Sequence, residues 1–321
     1  MKSAPRLYRG LPRRDATAPS ALTIGNFDGV HRGHQAILAH VRDQAAQRDL
    51  VPSVMTFTPH PRAFFARRGH RPELIPTQIS ALRDKVEALS EHGMRQIVIL
   101  PFRQRLADMA AEDFIRRLLV DGLNTRWVLV GEDFRYGRQR SGDIALLRRL
   151  GDLHGFEVRT LADVVDGQGR RISSTELRTA LAVGNLERSA ELLGADYRIS
   201  GHVIHGRKLG RDLGFPTLNL RVPEPCAARS GIYVVRVRGL GPDPLPGVAS
   251  LGVRPTIASD GRLLLETHIL DRRVDAYGKL VRVEFLKFLR DEEAFPDLPT
   301  LIAAIEKDAQ GARDHFASHG L

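Results

Sequence analysis

Two histidines three residues apart are the clearest candidates for chemistry in the N-terminal half of this chain. His31 and His34 follow Gly25 and Gly29, which let the backbone pass close to a ligand. The pair is expected at a helix N-terminus, where free N–H groups and the helix dipole favour phosphate. Two imidazole donors there could hold a triphosphate and stabilise charge on a transferring phosphorus. A solvated helix pair is the ordinary alternative, and a zinc site is disfavoured because no third ligand is evident.

A glycine-rich segment with two cations is the corresponding candidate in the C-terminal half. Gly206 and Gly210 permit a loop whose backbone N–H groups surround phosphates, while Lys208 and Arg211 neutralise charge. The segment does not match the Walker pattern. By itself it is equally well explained as a turn followed by a strand.

The elements that must position the first candidate alternate between strand and helix. Short apolar runs predict strands at Ala21–Ile24, Val54–Phe57, Gln96–Leu100, Trp127–Val130 and Phe156–Leu161. Helical periods predict helices at His34–Arg48, Ser80–His92, Ala110–Leu119 and Gly142–His154. This alternation predicts an α/β domain with a Rossmann-like parallel sheet, whose ligands bind at the carboxyl ends of the strands.

The pattern changes after two short helical segments, Thr175–Val183 and Leu186–Leu193. The strands expected next are Tyr197–His205, Gly231–Val237, Gly247–Leu251, Leu263–Ile269 and Leu280–Leu289. Gly and Pro turns separate them, which predicts an antiparallel β-barrel, and a last helix is expected from Leu298 to about Phe316. The expected domains are therefore residues 1–185 and 186–321.

The formal net charge of +10 is concentrated in the N-terminal domain. Residues 1–184 hold 29 basic and 20 acidic side chains, whereas residues 185–321 hold 19 and 18. An Arg-rich proteome explains this simply, and binding of a phosphorylated small molecule is compatible with it because Arg grips oxyanions bidentately. The single Cys226 excludes an intrachain disulfide and a Cys-zinc cluster. Without an apolar run of membrane-spanning length or a secretory signal, we expect a cytoplasmic protein with no membrane partner.

The segment Thr23–His34 resembles the His-x-Gly-His signature of nucleotidylyltransferases, in the form found in bacterial bifunctional riboflavin kinase/FAD synthetases. The segments Thr56–Arg62, Gly131–Gly137 and Arg171–Arg178 agree with that family. The resemblance implies that ATP is bound by Gly25, Asn26, Phe27, Asp28, His31, His34, Ser173, Ser174, Thr175 and Arg178, of which His31, His34 and Arg178 are catalytic. It implies FMN binding by His60, Pro61, Arg62 and Asp133.

Two of these segments also have structural explanations. Ser-Ser-Thr-Glu is a good helix N-cap sequence, which is compatible with a phosphate-binding role. The run from His60 to Arg62 would equally suit a rigid turn. Asp133 departs from the Asn that some members of the family carry.

The segment Gly201–Asn219 resembles the riboflavin kinase signature Gly-Arg-x-Leu-Gly-Phe-Pro-Thr-x-Asn. The resemblance implies that Thr217 and Asn219 bind Mg²⁺, a hard cation that prefers oxygen ligands. It implies ATP binding by Gly206, Lys208, Gly210, Arg211, Thr217 and Asn219. Glu266 corresponds to the catalytic base, although a lone Glu in a strand is ordinarily solvent-facing. The sequence after it, Asp271–Arg273, departs from the Asp-Phe common in the family.

Together the two resemblances cover about residues 20–316 and imply a bifunctional enzyme. It would convert riboflavin and ATP to FMN and ADP, and then FMN and ATP to FAD and pyrophosphate. A nucleotidylyltransferase for another phosphorylated acceptor is the alternative enzyme, and the kinase signature argues against it. An RNA-binding protein is disfavoured because the excess charge lies outside the predicted barrel and aromatic residues make up only 6% of the chain. We therefore expect small-molecule partners and no nucleic acid, while the sequence leaves the oligomeric state open.

Overall fold

A computed structural model describes residues 4–13, 17–205, 214–253 and 263–319 of the chain. The chain divides into two compact units. Unit 1 comprises Met1–Pro76 and Lys85–Ser173, and unit 2 comprises Thr77–Asp84 and Ser174–Leu321. This division falls before the first of the two short helices, whereas the sequence places the domain boundary after it, near residue 185. The limits of the functional domains stay a prediction.

Six parallel strands form the sheet of unit 1, which confirms the predicted fold class. They are β1 Arg6–Arg9, β2 Ser20–Ile24, β3 Val51–Thr58, β4 Gln96–Pro101, β5 Thr125–Gly131 and β6 Glu157–Leu161. Their spatial order is β1-β4-β3-β2-β5-β6, so that β2 lies where the winding of the chain reverses. The sequence does not predict β1, because this strand is short, polar and largely exposed.

The helices that connect these strands are α1 Arg32–Gln47, α2 Pro61–Arg68, α3 Leu82–Glu91, α4 Gln104–Ala107, α5 Ala111–Phe114 and α6 Ile144–His154. The predicted helix 110–119 begins as α5 and continues as a π-helical segment, Ile115–Gly122. Its side chains Ile115 and Leu119 are fully buried in the same apolar cluster as Leu22 and Val128 of the sheet. Two 3₁₀ turns, Pro72–Leu74 and Arg138–Arg140, complete the connections.

Unit 2 is an antiparallel barrel with helices before and after it, as predicted. Its elements are α7 Ser174–Ala182, α8 Leu186–Leu193, β7 Tyr197–His202, β8 Thr217–Arg221, β9 Gly231–Arg238, β10 Leu245–Val253, β11 Leu263–Ile269, β12 Leu280–Arg290 and α9 Leu298–His319. The strands follow the order β7-β12-β9-β10-β11-β8. A bridge between Ile204 and Asn219 then joins the chain after β7 to β8 and closes the sheet.

The last helix, α9, is fixed to the barrel by apolar packing and by one ion pair. Ala312 and Phe316 pack against Val248 in a cluster shared by the barrel and the helix. Arg290 at the end of β12 binds Asp308 through both carboxylate oxygens, at 3.0 and 2.7 Å. A bidentate pair of this kind holds one orientation as well as contributing energy, so it sets where the end of β12 meets α9.

A buried carboxylate on β12 bonds to two arginines of β9. Glu284 accepts hydrogen bonds from the Nε atoms of Arg236 at 2.6 Å and Arg238 at 2.8 Å, and Arg236 also contacts Asp196 at 2.8 Å. Burial by itself would raise the pKa of Glu284. The bonds from the two arginines outweigh that effect and hold the pKa below its ordinary value.

This lowered pKa predicts how the stability of the protein depends on pH. Because the folded state favours the ionised form, the Glu284 contribution is present at neutral pH and is lost as the pH falls from about 4.5 through the folded pKa. Urea unfolding at pH 7 should show that the free energy of unfolding of Glu284→Gln is lower than that of the parent protein by on the order of 3 kcal/mol, because two arginines lose their partner. This difference in the free energy of unfolding should become smaller as the pH is lowered toward 3. A difference independent of pH would contradict this assignment.

Candidate active sites

The loop between β2 and α1 combines strained backbone with the position expected for a ligand site. Phe27 and Val30 have positive φ angles of 48° and 41°, on either side of Gly29 at 83°. A β-branched residue such as Val is rarely found there, and such strain clusters at functional sites. The loop leaves the carboxyl end of β2, where the strand order reverses, which is where ligands bind in open α/β sheets.

The two histidines contact each other at the start of α1. His31 is the N-cap residue, and its Nδ1 accepts the backbone N–H of His34 at 3.4 Å. Their rings stack with centroids 3.8 Å apart. In a neutral imidazole whose Nδ1 accepts, the proton is on Nε2, so Nε2–H is the donor of that tautomer. A Cβ at Gly33 would lie only 3.1 Å from both His31 Nδ1 and the Ile172 carbonyl, which explains the glycine between the histidines.

A lysine that the sequence analysis missed bonds to the same loop. Lys85 Nζ donates to the carbonyl of Asn26 at 2.8 Å, and Thr56 Oγ1 donates to that carbonyl at 3.0 Å. Lys85 is only 9% exposed, so the loop is adjacent to a largely buried ammonium group. Among the described residues, nothing hydrogen-bonds to the buried Oδ1 of Asn26. The only sequence signal was that Lys85 is one of six lysines in an Arg-rich chain.

The segment predicted to bind FMN forms the start of a helix. His60 caps α2 by accepting the Arg62 N–H on Nδ1 at 3.1 Å, and Pro61 occupies the first turn. These residues therefore have a structural role at a helix N-terminus, and their part in FMN binding stays a prediction. Beside it lies an aromatic cluster that the sequence analysis did not single out. In this cluster the ring centroid of Phe102 lies 5.4 to 5.9 Å from those of Phe57, Phe64 and Phe65.

Asp133 and Arg178 have partners that the sequence did not indicate. The exposed Asp133 carboxylate pairs with Arg171 at 3.2 Å, which also contacts Asp163 at 3.0 Å. Arg178 Nε donates to the carbonyl of Thr77 at 2.7 Å. Arg178 and Thr77 both belong to unit 2, whereas His31 and His34 belong to unit 1. Of the predicted Ser-Ser-Thr residues, Ser173 ends unit 1, while Ser174 and Thr175 begin α7 in unit 2.

The second candidate site lies on one face of the barrel sheet. Glu266 on β11 is directly opposite Asn219 on β8 and Ser250 on β10. Its neighbours Leu265 and Thr267 are fully buried, so Glu266 is on the opposite, half-buried face of the strand. Alternation along a strand therefore accounts for its accessibility.

Thr217 joins Glu266 and Asn219 on this face. Thr217 Oγ1 lies 3.5 Å from Glu266 Oε2, and Asn219 Nδ2 lies 3.3 Å from the Thr217 carbonyl and 3.4 Å from its hydroxyl. The hydroxyl and amide oxygens of this pair are the hard ligands that Mg²⁺ prefers, so these residues fit the cation. The other predicted ATP-binding residues, Gly206, Lys208, Gly210 and Arg211, lie outside the described residues.

Two features are absent from residues 4–13, 17–205, 214–253 and 263–319, the part of the chain that the structure describes. No helix in that part of the chain is long and apolar enough to cross a membrane. No group of three or more His, Cys, Asp or Glu side chains is arranged there to hold a metal ion. This absence does not bear on Thr217 and Asn219, because Thr and Asn are not among those four residue types.

Comparison with known proteins defines the class to which the two sites belong. The sequence model of the FAD synthetase family matches residues 13–176, and that of the riboflavin kinase family matches residues 193–316. The chain therefore combines an adenylyltransferase-type and a kinase-type domain. It belongs to the bifunctional riboflavin kinase/FMN adenylyltransferase family.

Similar proteins extend over nearly the whole chain. The bifunctional riboflavin kinase/FMN adenylyltransferase of Escherichia coli K12 is 42% identical over 92% of each chain. The Pseudomonas fluorescens protein of the same name is 41% identical over 96% of this chain and 97% of its own. A crystal structure described as a macrolide-efflux protein from Streptococcus pneumoniae has a TM-score of 0.77 at 28% identity, covering 95% of this chain and 98% of that one.

Proposed function

We propose that unit 2 phosphorylates riboflavin with ATP to give FMN and ADP. We further propose that unit 1 transfers the adenylyl group of a second ATP to FMN, giving FAD and pyrophosphate. The observation that carries both proposals is that the two family matches fall on different parts of the chain, each holding its own cluster of polar side chains. Small molecules are the partners that these reactions require.

In the proposed kinase step, Glu266 acts as the general base. Its carboxylate accepts the proton of the riboflavin 5′-hydroxyl while that oxygen attacks the γ-phosphorus of ATP and the bond to ADP breaks. Thr217 lies 3.5 Å from Glu266, so residues suited to hold Mg²⁺ and phosphates are adjacent to the base. The bound Mg²⁺ supplies neutralisation of phosphate charge. We assign Gly206, Lys208, Gly210 and Arg211 to the nucleotide by their resemblance to the family signature.

In the proposed adenylyl transfer, no side chain acts as a nucleophile. A phosphate oxygen of FMN attacks the α-phosphorus of ATP, and the bond to pyrophosphate breaks. His31 Nε2–H, the His34 ring and the N-terminus of α1 donate to phosphate oxygens and stabilise the developing charge. The roles of Asp28, Arg178, Ser173, Ser174 and Thr175 stay predictions based on the resemblance.

The flavin of FMN requires a flat apolar surface beside polar groups. In the cluster around Phe102 the rings meet edge to face, and Phe65, which is 51% exposed, offers one accessible aromatic ring beside polar groups. The start of α2, with His60, Pro61 and Arg62, is in the same stretch of chain and is assigned to FMN together with Asp133. The exposed ring of Phe65 supports this assignment.

Incubation of the purified protein with riboflavin, ATP and Mg²⁺, followed by chromatographic separation of the flavins, tests the proposed function. We expect FMN to form first and FAD afterwards, and EDTA to stop FMN formation. A second incubation with FMN in place of riboflavin should give FAD and pyrophosphate in equal amounts. Folded protein that produces neither flavin would contradict the assignment. The cytoplasmic location expected from the sequence stays a prediction.

A further inference from the structure

A second carboxylate lies beside Glu266, on the side away from Thr217 and Asn219. Glu292 follows the end of β12, and its Oε1 accepts a hydrogen bond from Ser250 Oγ at 2.9 Å. Ser250 is directly opposite Glu266 in the pairing of β10 with β11. Although the Glu292 side chain is exposed as a whole, its carboxylate lies against Gly252, where an added Cβ would overlap it. The sheet surface therefore has a recess that receives this carboxylate.

The pKa of Glu292 is that of a partly buried carboxylate with another negative charge nearby. Partial burial of the carboxylate is the main cause that raises the pKa of Glu292, and the hydrogen bond from Ser250 opposes the rise. The nearby negative charge of Glu266 adds to it, while Arg290 lowers it. Because Ser250 lies opposite Glu266 and bonds to Glu292, the two carboxylates border the same space.

The strand order indicates from which side the acceptor approaches Glu266. Among the described strands, β8 and β10 are the ones that pair with β11, and Thr217 and Asn219, the residues assigned to Mg²⁺, are on β8. In phosphoryl transfer the attacking and leaving oxygens are roughly in line. The acceptor must therefore approach Glu266 from the β10 side, where Ser250 and Glu292 lie.

Across the paired strands β11, β10 and β9, the side chains in line with Glu266 change from polar to apolar. This order matches an acceptor with a hydroxylated chain and an apolar end. Beyond Ser250, the residue opposite on β9 is Ile232, which packs against the apolar cluster of the barrel and α9. Facing side chains on paired strands are about 5 Å apart, so a chain that carries several hydroxyl groups can contact both Glu266 and Ser250. Carboxylate and hydroxyl oxygens can accept hydrogen bonds from such groups.

We propose that Ser250 and Glu292 bind the ribityl hydroxyl groups of riboflavin and so hold its 5′-oxygen at Glu266. This inference rests on the proposed kinase function of unit 2. Glu292 accepts hydrogen bonds from the ribityl hydroxyl groups but does not remove a proton from them, because Glu266 is the base. The pair thereby selects an acceptor with a polyhydroxylated chain.

Steady-state kinetics of Glu292→Gln and Gly252→Ala test this assignment. We expect the KM for riboflavin to rise about 10-fold in Glu292→Gln, because a hydrogen bond to a charged group is lost. The KM for ATP should stay within twofold, kcat within threefold, and conversion of FMN to FAD should not change. Gly252→Ala should have the same effect, because its methyl group displaces the carboxylate without removing its charge. The matched control is Glu306→Gln, at an exposed position of α9, which should behave as the parent protein.

Riboflavin analogues that lack one ribityl hydroxyl separate direct contact from a structural role. In the parent protein, loss of the hydroxyl that contacts Glu292 should weaken flavin binding, measured by fluorescence titration without ATP. In Glu292→Gln the same analogue should bind nearly as well as riboflavin, since the partner is already absent.

Equal penalties in the two proteins for every analogue would overturn the proposal. So would an unchanged riboflavin KM in folded Glu292→Gln or Gly252→Ala. A parent protein that makes no FMN would instead refute the proposed kinase function, and that result appears before any variant is compared.

Discussion

Replacing His31 with asparagine and His34 with alanine is expected to stop flavin synthesis at FMN. Each histidine supplies a donor to the phosphates of ATP, and the loss of one such donor commonly costs about 10²- to 10³-fold in kcat. The double variant should therefore form FAD from FMN at least about 10³-fold more slowly. Riboflavin phosphorylation should continue, because the proposed kinase residues belong to unit 2. Timed chromatography of the flavins would show FMN accumulating without FAD.

Asparagine is chosen at position 31 because the native histidine also caps α1. A capping residue replaced by alanine costs about 1 kcal/mol, whereas asparagine is itself a preferred N-cap residue. The matched control is His40→Ala, at an exposed position of the same helix, which should keep full FAD formation. Normal FAD formation in the folded double variant would exclude the histidines from the reaction. Loss of both steps in a folded variant would contradict two separate sites.

Glu266→Gln is expected to abolish FMN formation while leaving FAD formation from supplied FMN intact. Glutamine keeps the size of the side chain but cannot accept the proton of the 5′-hydroxyl, and loss of a general base costs about 10²- to 10⁴-fold. The KM for ATP should change little, because Thr217 and Asn219 remain. Initial rates with riboflavin or FMN as the starting flavin measure the two steps separately.

The distinction from a structural role comes from the split between kcat and KM. Loss of the base should lower kcat in Glu266→Gln, whereas the KM values for riboflavin and ATP should change little. Glu306→Gln serves again as the carboxylate-to-amide control. An unchanged kcat in folded Glu266→Gln would refute the assignment of the base.

Local sequence patterns predicted most of the fold because each element shows its own periodicity. The helix Leu186–Leu193 and the strand Leu263–Ile269 have the predicted bounds. The strand Arg6–Arg9 was missed because it is polar and is recognised only by its pairing with Gln96–Pro101. The helix Pro61–Arg68 was missed because its apolar residues do not form a helical stripe.

Patterns of residue type also selected the candidates His31, His34 and Glu266, but not their surroundings. Their neighbours come from remote parts of the chain. Lys85 reaches the carbonyl of Asn26 across 59 positions, and Glu292 reaches Ser250 across 42. Separations of this size leave no periodic signal, so no local pattern indicates them.

The amino-acid sequence by itself determined the two-part organisation, the α/β and β-barrel classes, and the family to which the chain belongs. These depend on short-range patterns and on motifs that are continuous in the chain. Only the tertiary structure decided that Asn219, Glu266 and Ser250 form one row. Strand register sets that row, because a shift of one residue would turn every side chain of a strand to the opposite face. Register depends on the packing of the whole barrel, which no single segment specifies.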